Sequence, residues 1–260
     1  MTVAHAPDHA FAVLAYGNSP FLEGCLASLA AQTVTSRIVI ATSTPSEFIA
    51  GAALRAGVPI CANPVRGTIA NDWNFGLRAT GARYVTLAHQ DDTYAPTFLA
   101  ETLAAFGDGA GALCFSGYQE IDDAGAAISS KISRVKHLIE AITLGASRSA
   151  SGWRLRAFLS FGNPLPCSSV TYDLSQLGDF SFSADFASNL DWDAWWRQMT
   201  SGATFRRAPG RLVGRRHNQM TETSRLLKDG TRRREDLAMF RRAWPRPMAD
   251  LIARFYQAGY

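Results

Sequence analysis

Cysteine is scarce: Cys25, Cys61, Cys114 and Cys167 are the only four. They are scattered, form no CxxC pair and sit in mostly apolar surroundings. That disfavours both a disulfide framework and a structural zinc site, and a reduced, cytoplasmic protein is expected. No stretch approaches the roughly 18 apolar residues of a membrane-spanning helix. The amino-terminal end has no basic region followed by a long apolar run, so no signal peptide is expected. Neither GxGxxG nor a P-loop occurs, which argues against dehydrogenase and NTPase readings. No internal repeat is visible.

What is present is an ordinary globular composition. The 260 residues are 47% hydrophobic and 18% charged, enough for one large domain, or one domain with a tail, with a sizeable core. The net charge of +4 hides an asymmetry. From Phe205 onward 14 Arg or Lys face 5 Asp or Glu, an excess of +9, so the remainder carries −5. A basic carboxyl-terminal part predicts an anionic partner, whether phosphates, a membrane surface or nucleic acid, with a solvated basic face as the plainer alternative.

Apolar runs alternate with helical periodicity. Strands are predicted at Phe11–Ala15, Arg37–Ala41, Val58–Ala62, Tyr84–Ala88 and around Leu113–Phe115. Between them fall helices. The first is predicted to be capped by Ser19 with Pro20 at its first position, the second to open at Thr44-Pro45-Ser46-Glu47 and stop at Gly57, the third to open near Thr68 and the fourth at Pro96. This order predicts a doubly wound, mostly parallel sheet flanked by helices. Beyond Tyr118 the alternation stops. Val135, Leu138, Ile139 and Ile142 form a helical stripe, residues 147–152 read as a mobile loop, and Trp153–Phe161 reads as a further helix. A strand is predicted at Ser168–Tyr172, a tryptophan-rich helix at Asp191–Met199 and a last strand at Gly210–Arg216. Ser224–Arg234 is basic without a clear core face, and Met248, Leu251, Ile252, Phe255 and Tyr256 form an amphipathic stripe.

The predicted fourth strand runs directly into His89-Gln90-Asp91-Asp92. The carboxyl edge of an open α/β sheet is where ligands bind. A carboxylate pair preceded by a histidine can hold a divalent cation, and a cation there can hold a diphosphate; helix-capping aspartates in a solvated turn are the plainer alternative.

Several stretches together resemble family 2 glycosyltransferases, inverting enzymes of the GT-A fold, over about Phe11–Thr223. Leu14 to Thr33 looks like the family's opening strand, turn and helix. Asn71-Asp-Trp-Asn-Phe-Gly76 and Ala79 to Tyr84 look like the lead into its metal motif, and Leu87 to Asp92 falls where the family has DxD. Asp191-Trp-Asp-Ala-Trp-Trp-Arg197 falls where a catalytic carboxylate precedes a helix, and Arg216-His217 followed by Thr221 resembles the family's late Arg-x-His element. The chain departs at two places. His89 replaces the first Asp of DxD, which favours Mn²⁺ or another transition metal over Mg²⁺. Ala41-Thr42-Ser43-Thr44 ends the second strand where an acid is usual, leaving hydroxyls for the nucleotide.

The resemblance implies a GT-A domain over 1–223, with a donor half at 1–118 and an acceptor half at 119–223, and a basic helical extension at 224–260. It implies a nucleotide-sugar donor, a UDP-sugar first, in contact with Ala15, Tyr16, Asn18, Thr42, Ser43, Asn71, Asn74, His89, Gln90, Asp91, Asp92 and Arg216. Mn²⁺ or Mg²⁺ would sit on Asp91 with His89, and His217 is a further candidate ligand. Arg215 and Arg216 would clamp phosphate. Asp191, with Asp193 as close competitor, would be the general base, and Trp192, Trp195 and Trp196 form either a sugar-stacking wall or core. The acceptor would be a glycan or a lipid-linked molecule, with peripheral membrane contact through the basic terminus or a homodimer through its stripe, and no nucleic acid. A GT-A-like binding protein without turnover and a nucleotidyltransferase are the rival readings.

Overall fold

A computed structural model of the chain describes residues 4–107, 109–217, 226–227 and 229–258. Thr221 and the start of the Ser224–Arg234 segment lie outside them. Among the described residues ten strands form one sheet: β1 (Ala4–Leu14), β2 (Val34–Thr42), β3 (Ile60–Ala62), β4 (Tyr84–His89), β5 (Thr93–Tyr94), β6 (Leu113–Ile121), β7 (Ala127–Ile128), β8 (Ser149–Ala150), β9 (Val170–Asp173) and β10 (Phe205–Arg216). The main order is β3-β2-β1-β4-β9-β6-β10-β5, with β7 on β6 and β8 on β10. β3, β2, β1 and β4 are parallel, as are β6 and β10, and antiparallel β9 joins the two blocks.

The helices are α1 (Leu22–Ala30), α2 (Glu47–Ala56), α3 (Ile69–Ala79), α4 (Phe98–Gly107), α5 (Lys131–Leu144), α6 (Gly152–Leu159), α7 (Leu190–Thr200), α8 (Thr231–Ala243) and α9 (Arg246–Gln257). Alternate strand residues point to opposite faces of the pleat, which gives two cores. Phe11, Val13 and Ala88 pack with α1, α2 and α4. Ala12, Val85 and Leu87 pack with the other helices, including Trp192 and Trp195 of α7, Met239 and Phe240 of α8, and Ala249 and Ala253 of α9. α8 and α9 therefore share the body's core. α3 crosses close to the sheet because Gly76 has no side chain: a Cβ there would stand 2.8 Å from Leu14 Cδ2 and 3.2 Å from Leu87 Cδ2.

Local differences from the sequence reading have simple causes. α1 begins at Leu22 rather than after Ser19; residues 20–21 form a turn, in which Ser19 Oγ accepts from Phe21 N–H at 3.3 Å. α2 is capped by Ser46, which accepts from Ile49 N–H, while Thr44 Oγ1 accepts from Gly17 N–H at 2.9 Å. Its stop is as read, with Gly57 in the left-handed region at φ 66°. Residues 147–152 contain β8 and the start of α6 rather than an unstructured loop. On α5 only Ile139 of the stripe packs against the core, while Val135, Leu138 and Ile142 are exposed and Leu144 is buried. α9 splits its stripe: Ile252 and Tyr256 pack against the core, beside the buried Ala249 and Ala253, while Met248, Leu251 and Phe255 are exposed. No helix among the described residues is long and apolar enough to cross a membrane.

Candidate active site

The carboxyl ends of β1, β4 and β10 meet at one edge. β4 delivers His89, and the turn after it delivers Asp91 and Asp92; one ligand atom from each of the three lies within 4.8 Å of the others. The turn is fixed from two sides. Gln90 exchanges hydrogen bonds with the backbone of Tyr16, accepting from N–H at 3.1 Å and donating to C=O at 2.9 Å, which ties β4 to the loop after β1. Arg216, at the end of β10, donates its backbone N–H to Asp92 Oδ1 at 2.8 Å and its Nε–H to the Asp91 carbonyl at 2.9 Å. Its Nη1 reaches the Asp122 carbonyl, and the guanidinium lies 4.3 Å over the Phe21 ring. Arg216 thus braces the turn, and Arg215 lies 3.6 Å from Glu120.

The electrostatics suit a cation. His89 is held neutral, mainly because burial penalises its charged form. Its Nε2 is buried and takes no hydrogen bond among the described residues, an uncompensated polar atom that ligation would satisfy. Asp92 is buried, and burial followed by the nearby Asp91 charge pushes its carboxyl up to about 7. Two carboxylates and an imidazole within reach of one another fit a divalent ion. His217 is exposed beyond β10 and is not in the three-residue cluster. It donates its backbone N–H to the Ile121 carbonyl at 2.9 Å, which continues the β10–β6 pairing by one residue.

The donor-side residues divide. Tyr16 is exposed at the edge, and Asn18 beside it accepts from Ser46 Oγ at 3.1 Å. Ala15 is buried and bonded to Ala41. Thr42 and Ser43 are buried and use their hydroxyls internally: Thr42 Oγ1 accepts from Thr44 N–H, and Ser43 Oγ donates to Asp72 Oδ2 at 2.9 Å. Asp72, from α3, also accepts from Asn63 at 3.0 Å. A carboxylate therefore stands near the end of β2 after all, supplied through space. Asn71 is exposed and bonded to Thr68. Asn74 spends its amide on both backbone groups of Phe182, each at 2.8 Å, and pins the segment before α7.

The two α7 aspartates have different surroundings. Asp191 is 6% exposed. Asn163 Nδ2 and Trp192 N–H donate to the same oxygen, Oδ1, at 3.0 and 2.7 Å; among the described residues Oδ2 takes no hydrogen bond. Burial raises its carboxyl above the usual range, opposed by those bonds and by Arg232 and Lys136. Its charge is felt at His89, where it opposes the effect of burial. Asp193 instead ion-pairs with Arg197 at 2.9 Å and with Arg242 of α8 at 2.5 Å. Trp192 and Trp195 are fully buried, and Trp192 donates to the Leu159 carbonyl; these tryptophans are core. The aromatic ring beside the cluster is Trp73, 5.2 Å from His89. Asn163 and Arg242 were not legible in sequence, since neither stands in a motif.

The architecture is that of GT-A glycosyltransferases. Aligned solved structures include Staphylococcus aureus TarS with UDP-GlcNAc (12% identity, TM-score 0.63, 96% of this chain and 71% of that one). Another is the mannosyltransferase PcManGT of Pyrobaculum calidifontis with GDP-Man and Mn²⁺ (14%, 0.62, 96% and 69%). A third is glucosyl-3-phosphoglycerate synthase of Mycobacterium tuberculosis with Mn²⁺, UDP and phosphoglyceric acid (14%, 0.55, 85% and 75%). No curated protein matches in sequence. Residues 11–158 match the model of glycosyl transferase family 2, more than half of the chain. The chain belongs to that family and is a glycosyltransferase.

Proposed function

We propose that the protein is a metal-dependent, inverting glycosyltransferase that uses a nucleotide-sugar donor. The observation that carries this reading is the His89–Asp91–Asp92 cluster at the carboxyl edge of the sheet, with the charge of the buried Asp191 carboxyl acting on His89. Structures of similar fold hold UDP-GlcNAc, or GDP-Man with Mn²⁺, which supports a nucleoside diphosphate leaving group. Asp91 and His89, with Asp92 assisting, would hold Mn²⁺ or Mg²⁺, the imidazole favouring Mn²⁺. A bound cation supplies Lewis-acid stabilisation of the charge that develops on the diphosphate. Tyr16 and Asn18 border the nucleotide, and Arg215 faces its phosphates.

Asp191 acts on the acceptor. Its free Oδ2 takes the hydroxyl proton as the oxygen attacks the anomeric carbon; the new C–O bond forms while the bond to the diphosphate breaks on the opposite face. Burial makes this carboxylate a better base. Asp193 holds α7 to α8. The acceptor is a glycan or a lipid-linked molecule, and the exposed Met248, Leu251 and Phe255 of α9, among basic residues, form a contact for an anionic membrane surface.

Calorimetry with UDP and GDP tests the donor site. One of them should bind at least tenfold tighter with Mn²⁺ than with chelator, and Asp91→Asn should abolish that difference. Equal affinity with and without Mn²⁺ would remove the cation from the reading.

A further inference from the structure

His89 enters the three-residue cluster with nothing polar holding its ring. One ring nitrogen lies within 4.8 Å of a carboxylate oxygen on each of Asp91 and Asp92. Nε2 is buried without a partner, and among the described residues no hydrogen bond fixes the imidazole plane. A histidine that ligates a metal usually donates its other N–H to a carboxylate or a carbonyl, and that bond sets the orientation of the ring. What the His89 ring meets instead is Trp73, on α3. The two ring centroids are 5.2 Å apart, with the planes at 45°.

The indole is itself well placed. It meets Phe182 edge to face, at 5.0 Å and 84°, and Phe182 is a buried core residue. Its neighbours on α3 anchor the helix in two directions. Asp72 accepts from Ser43 at 2.9 Å and from Asn63 at 3.0 Å, just past the ends of β2 and β3. Asn74 bonds both backbone groups of Phe182, each at 2.8 Å. The backbone at Trp73 is thus held from both sides, and its side chain stands between His89 and Phe182. An aromatic neighbour suits an imidazole, whose ring gains from edge and offset contacts with another ring.

We infer that Trp73 is the positioning residue for His89: the indole, backed by Phe182, takes the place of the missing hydrogen bond and holds the imidazole with a ring nitrogen toward Asp91 and Asp92. This rests on the cation reading above and adds the residue that makes a histidine serviceable in that cluster. Trp73 acts through His89 and is not itself a ligand.

The full chain is titrated with Mn²⁺ in the presence of UDP and, separately, GDP. The bound ion is then followed by pulsed electron paramagnetic resonance, which detects the nitrogen of a ligating imidazole through its coupling to Mn²⁺. Wild type should show that coupling, and His89→Asp should lose it. Trp73→Leu, with its fold checked by urea unfolding, should weaken the nitrogen coupling and lower Mn²⁺ affinity by about tenfold or more, the scale for losing a group that orients a metal ligand. Trp73→Phe keeps an aromatic face and should retain both. In the His89→Asp protein, adding Trp73→Leu should leave Mn²⁺ affinity within about twofold, because the ring it serves is gone. Trp73→Met is a second flexible replacement, and unchanged Mn²⁺ affinity in whichever of the Leu and Met variants folds would overturn the inference. So would an equal loss from Trp73→Leu with His89 present and with His89→Asp, which would make Trp73 a purely structural residue. Mn²⁺ bound by wild type without nitrogen coupling would remove His89 from the ligands, and this inference with it, while leaving Asp91 in place. No Mn²⁺ binding by wild type with either nucleotide would overturn the cation reading and this inference together.

Discussion

Replacing Asp193 by Asn should destabilise the protein without removing its base. The Asp193 carboxylate is 2% exposed and holds two guanidiniums, Arg197 within its own helix and Arg242 on α8. Breaking a fully buried pair by removing one partner costs about 3–5 kcal/mol. Here the arginine side chains are 40% and 36% exposed, so they can rehydrate, and exposed pairs contribute only about 0–1 kcal/mol. An intermediate loss of about 2 kcal/mol follows, read as a lower urea midpoint at unchanged slope. Arg242→Gln should lose a similar amount, and the double variant less than the sum, since both remove one contact between α7 and α8. At a temperature where all are folded, nucleotide release from donor should stay within a few-fold of wild type. An Asp193→Asn protein of wild-type stability and at least 100-fold lower turnover would refute this and make Asp193 the base.

Other outcomes follow from the same geometry. His89→Asp should tighten Mg²⁺ relative to Mn²⁺, because a hard carboxylate replaces an imidazole; calorimetry with each ion checks it. His9 is buried between Ser36 and Thr86, and burial pulls its imidazole down to about 3. The unfolded chain takes up a proton near pH 6.5 that the folded chain refuses, so this contribution to stability is complete above 6.5 and falls as pH drops toward 3. At pH 5 the loss is about 2 kcal/mol, and urea midpoints at pH 7.5 and 5 should diverge less in His9→Gln than in wild type. Sedimentation with anionic vesicles should be reduced in a Met248→Ser, Leu251→Ser, Phe255→Ser triple variant; equal sedimentation would remove α9 from membrane contact, and a concentration-dependent dimer lost in the same variant would assign the face to a second copy.

The first half of the fold is legible in sequence because parallel strands buried on both faces read as apolar runs, and each is followed by a helix with its own punctuation. That logic places His89, Asp91 and Asp92 at the sheet's ligand edge. It fails after Tyr118, where β9 enters antiparallel between β4 and β6 and a four-residue strand carries no sign of its partners. Helix stripes mislead for a related reason. Val135, Leu138 and Ile142 have the right period but face outward, and periodicity reports a face without reporting what covers it. In the site, residue type is visible and commitment is not. Thr42, Ser43 and Asn74 look available as polar groups, yet each is engaged within the protein. Asp191 and Asp193 differ only in which arginines and amides the fold brings to them.

The most direct measurement is the steady-state release of nucleoside diphosphate from donor, in the presence of acceptor, by Asp191→Asn. The substitution keeps the hydrogen bonding on one oxygen and removes the base. The account predicts turnover lower by about 10² or more, the usual scale for losing a positioned base, with Mn²⁺-dependent nucleotide affinity within about twofold of wild type. Wild-type turnover by Asp191→Asn would contradict it.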